Sequence, residues 1–191
     1  MRPRGSPTPR YAELQVTTNF SFLRGGSHGE ELVEQAASLG LAAVAVTDRN
    51  TLAGVVRAHV AAREVGLPLL VGARLELMDA PDRLVFPVDR AAYGRLSRLI
   101  SLGRRRAPKG ECHLFRADLD AWDEGLLQVL IPPEDAARLD AFAGDLAAAA
   151  ARRPGDTYLA VSRLYRGDDG ARVAALVDLA HRTGAIPLAT N

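Results

Sequence analysis

The chain has one cysteine, Cys112, so no internal disulfide can staple it, and a lone thiol fits a reducing cytoplasm. It also has one lysine, Lys109; every other of its 24 basic residues is arginine. With the abundant alanine, this bias reflects GC-rich coding as much as physical selection. Aromatics are sparse, with one Trp, four Tyr and five Phe. None of them falls within the main basic run, where stacking on nucleic-acid bases would need them. Charge of one sign is lacking too: 24 basic against 23 acidic residues leave a net of +1, too little to mark a nucleic-acid binder. No apolar run approaches the roughly 20 residues of a membrane helix. Met1–Arg10 holds three Pro and three Arg without an apolar stretch, and reads as a disordered tail (1–10), not a secretory signal. These absences point to a soluble, cytoplasmic protein with no membrane partner. A length of 191 residues suits one domain with a sizeable core.

From Tyr11 onward, strand-like and helix-like segments alternate, which predicts an α/β class with a mostly parallel sheet. A first strand is expected over Tyr11–Thr17. Ser27-His28-Gly29-Glu30 reads as a capping box opening a helix that runs to Leu39, with Gly40 taking the left-handed turn. Ala42–Thr47 is a short apolar run, as for a strand covered on both faces. Asn50 or Thr51 can cap a helix over Leu52–Val65. Strands over Leu69–Leu77 and Leu84–Val88 follow, separated by too few residues for a helical crossover, so an antiparallel excursion is expected. Next come a helix over Ala91–Leu102, the basic run Arg104–Lys109, and a strand over Leu126–Ile131. An alanine-rich helix over Glu134–Arg152, a strand at Thr157–Val161, a helix at Asp169–Thr183 and a strand at Ile186–Thr190 complete the pattern. The count is about seven strands. The chain stops on a strand with no covering helix, so it is expected to be part of something longer. Apolar surface beside that strand should favour self-association.

Two segments carry chemistry: Leu14-Gln15-Val16-Thr17-Thr18-Asn19-Phe20-Ser21-Phe22-Leu23-Arg24-Gly25 and Ala45-Val46-Thr47-Asp48-Arg49-Asn50. Each is an apolar strand ending in polar residues before a helix, which in a parallel barrel gathers them at the C-terminal mouth. Together with Val71-Gly72-Ala73-Arg74, the stretch Leu102–Glu111 and the closing Pro187–Asn191, they resemble the PHP (polymerase and histidinol phosphatase) domain. Phe20–His28 resembles the version at the N-terminus of bacterial error-prone DNA polymerases, homologues of the polymerase III alpha subunit.

The resemblance implies a PHP-type distorted (β/α)7 barrel over residues 11–191, incomplete at its C-terminus, as a fragment of a longer polymerase chain. It also implies a metal site, since the family includes metal-dependent phosphoesterases and, in some replicative polymerases, a proofreading nuclease. Position by position, the ligands are depleted. Gln15 and Thr17 stand where the family has His-x-His, Arg49 replaces the His after Asp48, Arg74 replaces a bridging Glu, and Arg24 replaces the Asp of a Leu-Asp-Gly turn. A Gln amide is a poor transition-metal ligand and Thr a worse one, while guanidiniums repel a cation. Asp48 and His28 are the weak metal candidates that remain. His28 reads first as a first-turn surface residue and only second as a ligand, and His59 and His181 read as structural residues. Cys112 and His113 are adjacent, and adjacency is not the geometry of a thiol nucleophile and its base.

The expectation is therefore a PHP domain of an error-prone, translesion polymerase serving DNA repair after damage, itself catalytically inactive, without a cofactor of its own. Mg²⁺ would serve the parent nucleotidyltransferase at residues outside this chain. The partners implied are the remaining polymerase domains, DNA through the parent enzyme, and other damage-response replication proteins. Two other readings stay open. One is a metal-dependent phosphoesterase or 3′–5′ exonuclease with an atypical ligand set. The other is a stand-alone nucleic-acid-binding module using Arg104, Arg105, Arg106 and Lys109. That basic run suits a domain contact, a solvated loop or DNA phosphates. At the depleted site, a guanidinium, from Arg74 first and Arg49 second, is expected to pair with Asp48 in place of the lost ions.

Overall fold

Strand β1 (Ala12–Val16) lies parallel to β2 (Ala43–Val46), and β2 lies parallel to β3 (Leu69–Val71). The computed structural model describes residues 10–190. Positions 1–9 of the expected tail, and Asn191, lie outside the described residues. Helix α1 (Gly29–Ser38) connects β1 to β2, and α2 (Val55–Val65) connects β2 to β3. Alternation along β2 explains why its run is wholly apolar. Val44 and Val46 pack under the two helices with Val33, Ala58 and Ala62, while Ala45 faces the opposite side of the sheet.

A second sheet runs in the order β4 (Ala73–Leu75), β5 (Arg83–Pro87), β6 (Leu126–Leu130), β7 (Thr157–Val161), β8 (Ile186–Ala189). The pairs β4–β5 and β5–β6 are antiparallel, and β6–β7 and β7–β8 are parallel, so the excursion expected from the short 78–83 connection is present. The expected single strand over Leu69–Leu77 is two, giving eight strands among the described residues. Gly72 divides them: a Cβ there would lie 2.7 Å from the Phe86 ring, so the ring takes the space a side chain would need. The two sheets meet end to end, with Gly72 N donating to Val46 O (3.1 Å) and Arg74 N to Asp48 O (3.0 Å).

Helices α3 (Arg90–Arg106) and α4 (Arg116–Trp122) lie between β5 and β6, α5 (Leu139–Arg152) between β6 and β7, and α6 (Asp169–Thr183) between β7 and β8. Four apolar clusters form the core. Three lie between strands and helices, and the fourth joins Ala45, Leu84, Phe86, Val129 and Ala160 with Leu14 and Leu188, so strands from both sheets share one interior. Truncating a fully buried leucine such as Leu84 to Ala would cost about 2–5 kcal/mol.

Several local expectations are corrected. The cap of α1 is His28, not Ser27, and its backbone N–H donates to Glu31, not Glu30. Helix α2 starts at Val55, because Asn50 takes a left-handed φ of +50° and Thr51 turns the chain by accepting from Ala53 N. Helix α3 continues four residues past Leu102, and Asp89 caps its start by accepting from Ala92 N. The Glu134–Arg152 helix begins as a 3-10 turn at Ala136–Arg138 and is α-helical from Leu139. Helix α4 was not expected at all.

Candidate functional site

The polar residues at the ends of β1 and β2 do converge, around Asp48. This carboxylate is wholly buried, and three donors from the β1–α1 loop take it. Thr18 N (2.8 Å) and Ser21 Oγ (2.7 Å) donate to Oδ1, and Thr18 Oγ1 (2.7 Å) donates to Oδ2. Hydrogen bonds to an ionised acceptor are short and strong, and these satisfy a group that would be costly to bury alone. Each hydroxyl is used twice, since Thr18 Oγ1 accepts from Phe20 N (3.1 Å) and Ser21 Oγ from Arg49 N (2.9 Å). The start of α2 closes over them. A Cβ on Gly54 would sit 2.4 Å from Asp48 Oδ2 and 2.7 Å from Thr18 Oγ1.

Among the described residues no guanidinium reaches Asp48, and the expected pairing with Arg74 or Arg49 is overturned. Arg74 turns to Asp82, donating from Nε (2.9 Å) and Nη2 (2.6 Å). Arg49 pairs with Glu76. The physical reason is room: small hydroxyls and a glycine fill the space around Asp48. Two acidic residues outside the compared motifs, Glu76 and Asp82, compete for the arginines in a half-buried setting. Their positions close to Arg74 were the available signal.

The remaining expected residues spread around this point. Gln15 Oε1 accepts from Thr190 Oγ1 (3.3 Å), which places the end of β8 beside β1. Thr17 is half-buried. Arg24 and His28 are exposed, and His28 serves as the α1 cap. Among the described residues, no three His, Cys, Asp or Glu side chains gather as a metal would need. The donor set does not fit the divalent cluster that the resemblance implies. Asp48 is committed to three protein donors, Gln15 to a hydroxyl, and Arg49 and Arg74 bring positive charge. Beside the strand ends lies a cleft of about 690 Å³ lined by Gln15, Arg74, Asp82, Ser162 and Arg172 among others.

The loop locked by Asp48 carries an apolar tip. Leu23 holds a left-handed φ of +60°, and Phe22 and Leu23 are 84% and 86% exposed, with Phe20 also on the surface. Gly25 makes the turn possible, since a Cβ there would lie 2.2 Å from Thr18 O.

The basic run is not a free loop. Arg104, Arg105 and Arg106 form the last turn of α3, where cations complement the helix dipole. Arg104 donates from Nε (3.2 Å) and Nη2 (2.9 Å) to Asn50 O, tying α3 to the segment after β2. Arg106 grips Asp118 with two bonds (2.6 and 2.9 Å) and lies 5.3 Å above the Phe115 ring. That grip, chiefly its hydrogen bond, holds the Asp118 carboxyl below the usual carboxylate range. Arg105 and Lys109 are exposed. Cys112 packs against α3 beside Gly103, and burial pushes its thiol pKa up, away from nucleophilic chemistry. Its neighbour His113 hydrogen-bonds Glu111 (2.9 Å) outside any strand.

Comparison with known proteins places this geometry. The PHP domain family model matches residues 13–165. An error-prone DNA polymerase of Rhodopseudomonas palustris is 50% identical over 96% of this chain and 17% of its own length. One of Caulobacter vibrioides is 48% identical over 100% of this chain and 17% of its own. The chain thus spans about 17% of the length of these curated relatives. Two solved structures share the fold. A candidate metal-dependent phosphoesterase from Bifidobacterium adolescentis matches with a TM-score of 0.67 at 20% identity, over 97% of this chain and 88% of that one. An amidohydrolase from Chromobacterium violaceum, solved with sulfate and no metal, matches at 0.65 and 17% identity, over 94% and 86%.

Proposed function

The chain belongs to the PHP domain family, and on that premise we propose that it is the PHP domain of an error-prone DNA polymerase in which the metal site has become a structural joint. The observation that carries this reading is the engagement of both Asp48 oxygens by Thr18 and Ser21. A buried carboxylate already holding three protein donors, with no histidine beside it, is a poor anchor for a cation, so on this reading the domain neither generates a metal hydroxide nor clamps a phosphate between ions. It acts as a scaffold and contact module for the rest of a longer polymerase, a nucleotidyltransferase that engages DNA and its own Mg²⁺ elsewhere. A polymerase without this nuclease leaves its errors in place, which suits synthesis across damage and repair in the cytoplasm alongside other damage-response proteins.

On this reading residues 11–191 form one PHP unit preceded by a tail at 1–10, and the strands follow a distorted (β/α)7 barrel. The hydrogen bond from Thr190 to Gln15 supports closure of β8 on β1, and β3 and β4 count as one interrupted strand. The contact surface would include the apolar side chains of Phe20, Phe22 and Leu23 and the exposed Arg105 and Lys109. Arg104 and Arg106 are spent on contacts within the fold, which weakens the case for a stand-alone nucleic-acid-binding module.

The test is hydrolysis of a phosphodiester chromogen and of 3′-labelled single-stranded DNA, with Mn²⁺ or Zn²⁺ supplied. The reading expects no turnover above that of a heat-denatured control. Metal-dependent turnover abolished by Asp48→Ala would replace it with a phosphoesterase or 3′–5′ exonuclease of unusual ligand set.

A further inference from the structure

Away from the strand ends, β5, β6 and β7 are covered by α4 and α5, and a small polar pocket of about 130 Å³ lies in that layer. Its floor is the side chain of Arg83, on a residue only 4% exposed. Nη1 of Arg83 donates to the neutral Gln128 Oε1 (2.6 Å), and its Nε is buried with no partner. Arg83 makes no ion pair among the described residues, although three carboxylates line the pocket. Other arginines hold each of them: Arg116 pairs with Asp145, Arg152 with Asp120 (2.6 Å) and Asp123 (3.2 Å), and Arg153 with Asp123 (3.5 Å). Four guanidiniums thus line the pocket with three carboxylates, and a fourth carboxylate, Asp156 outside the lining, pairs with Arg153 (2.7 Å). Burial, and then the nearby Arg116, lower the Arg83 pKa, and the carboxylates of Asp120 and Asp145 oppose this without reversing it.

A charge buried without a counter-charge is among the costliest arrangements in a protein interior. Gln128 supplies one acceptor to a group with five donors and a full positive charge. The pocket holds about four water-sized volumes at roughly 30 Å³ each, space that one tetrahedral oxyanion and its remaining water would fill. A guanidinium whose donors are largely unspent can grip such an anion.

We propose that this pocket is a binding site for one small tetrahedral oxyanion of the inorganic phosphate class, held by Arg83 between the β5–β6–β7 strands and helices α4 and α5. The anion gives Arg83 the direct ionic partner it lacks and pins the two helices to the sheet. None of Gln15, Asp48 and Arg74 lines the pocket, so the site stands apart from the former metal position and from the reading given to it above.

Thermal unfolding of the full chain decides this, in increasing phosphate or sulfate with ionic strength held constant by chloride. The expected result is a saturable rise in Tm of a few degrees for either oxyanion, absent in Arg83→Met and retained in part by Arg83→Lys. No oxyanion-specific rise, or an equal rise in Arg83→Met, overturns the proposal. Should Arg83→Met fail to fold, crystals of the native chain grown in selenate give the second readout. An anomalous peak within hydrogen-bond reach of the Arg83 guanidinium supports the site, and its absence at saturating selenate overturns it.

Discussion

Thr18 Oγ1 lies 2.7 Å from Asp48 Oδ2, a bond between the loop after β1 and the end of β2 that is buried on every side. It makes the Asp48 carboxylate a clamp on its own chain. Removing the carboxylate leaves the Thr18 N–H and two hydroxyls without their acceptor. Asp48→Ala should therefore destabilise the fold by about 3–5 kcal/mol, read by urea unfolding. Thr18→Val should cost about 1–3 kcal/mol. The double variant should be more stable than the sum of the two losses implies, because the pair is coupled.

Gly54 tests how tightly the clamp is packed. A Cβ there would collide with Asp48 Oδ2 at 2.4 Å, and backbone φ at this position is ordinary, so only the collision matters. Gly54→Ala should cost about 1–3 kcal/mol in chemical denaturation, against the small gain expected of Ala in an open helix start.

The two arginines should behave differently from Asp48. Arg74 with Asp82, and Arg49 with Glu76, are partly exposed pairs whose screening limits each to about 1 kcal/mol or less. Arg74→Ala and Asp48→Ala should add in a thermodynamic cycle, whereas Arg74→Ala and Asp82→Ala should not.

Much of the architecture was legible because apolar periodicity is a local signal. Alpha helix Asp169–Thr183 and strand Thr157–Val161 fall where that periodicity put them. Of the expected site positions, Gln15 and Arg74 line one cleft, and Arg74 N donates to Asp48 O. What stayed hidden depended on contacts distant in sequence. Gly72 breaks a strand because of Phe86, and Arg104–Arg106 remain helical because Asn50 and Asp118 accept from them. The partner of Asp48 was misjudged for a related reason. Opposite charge suggested arginine, but the space beside the carboxylate admits only hydroxyls and a backbone N–H.

Acid should loosen the α3–α4 junction. The Asp118 pKa is depressed by Arg106, so the contribution of this pair is present above the ordinary carboxylate pKa and is lost as pH falls through the lowered folded value. Asp118→Asn should flatten the acid limb of the stability-versus-pH curve while leaving the curve near neutrality parallel to that of the native chain.

The tip Phe22–Leu23 makes few contacts within the fold, so serine at either position should leave stability within about 0.5 kcal/mol. If the tip is a contact surface, the same variants should weaken association with the remaining polymerase domains supplied in trans, measured by calorimetry.

The central claim is that the metal site has become a protein-only joint. Its most direct test is the metal content of the chain, by elemental analysis, after dialysis against Mn²⁺ or Zn²⁺ and removal of free ion. The account predicts no stoichiometric metal and no difference between the native chain and Asp48→Asn. Metal retained in stoichiometric amount by the native chain, and lost in Asp48→Asn, would contradict it.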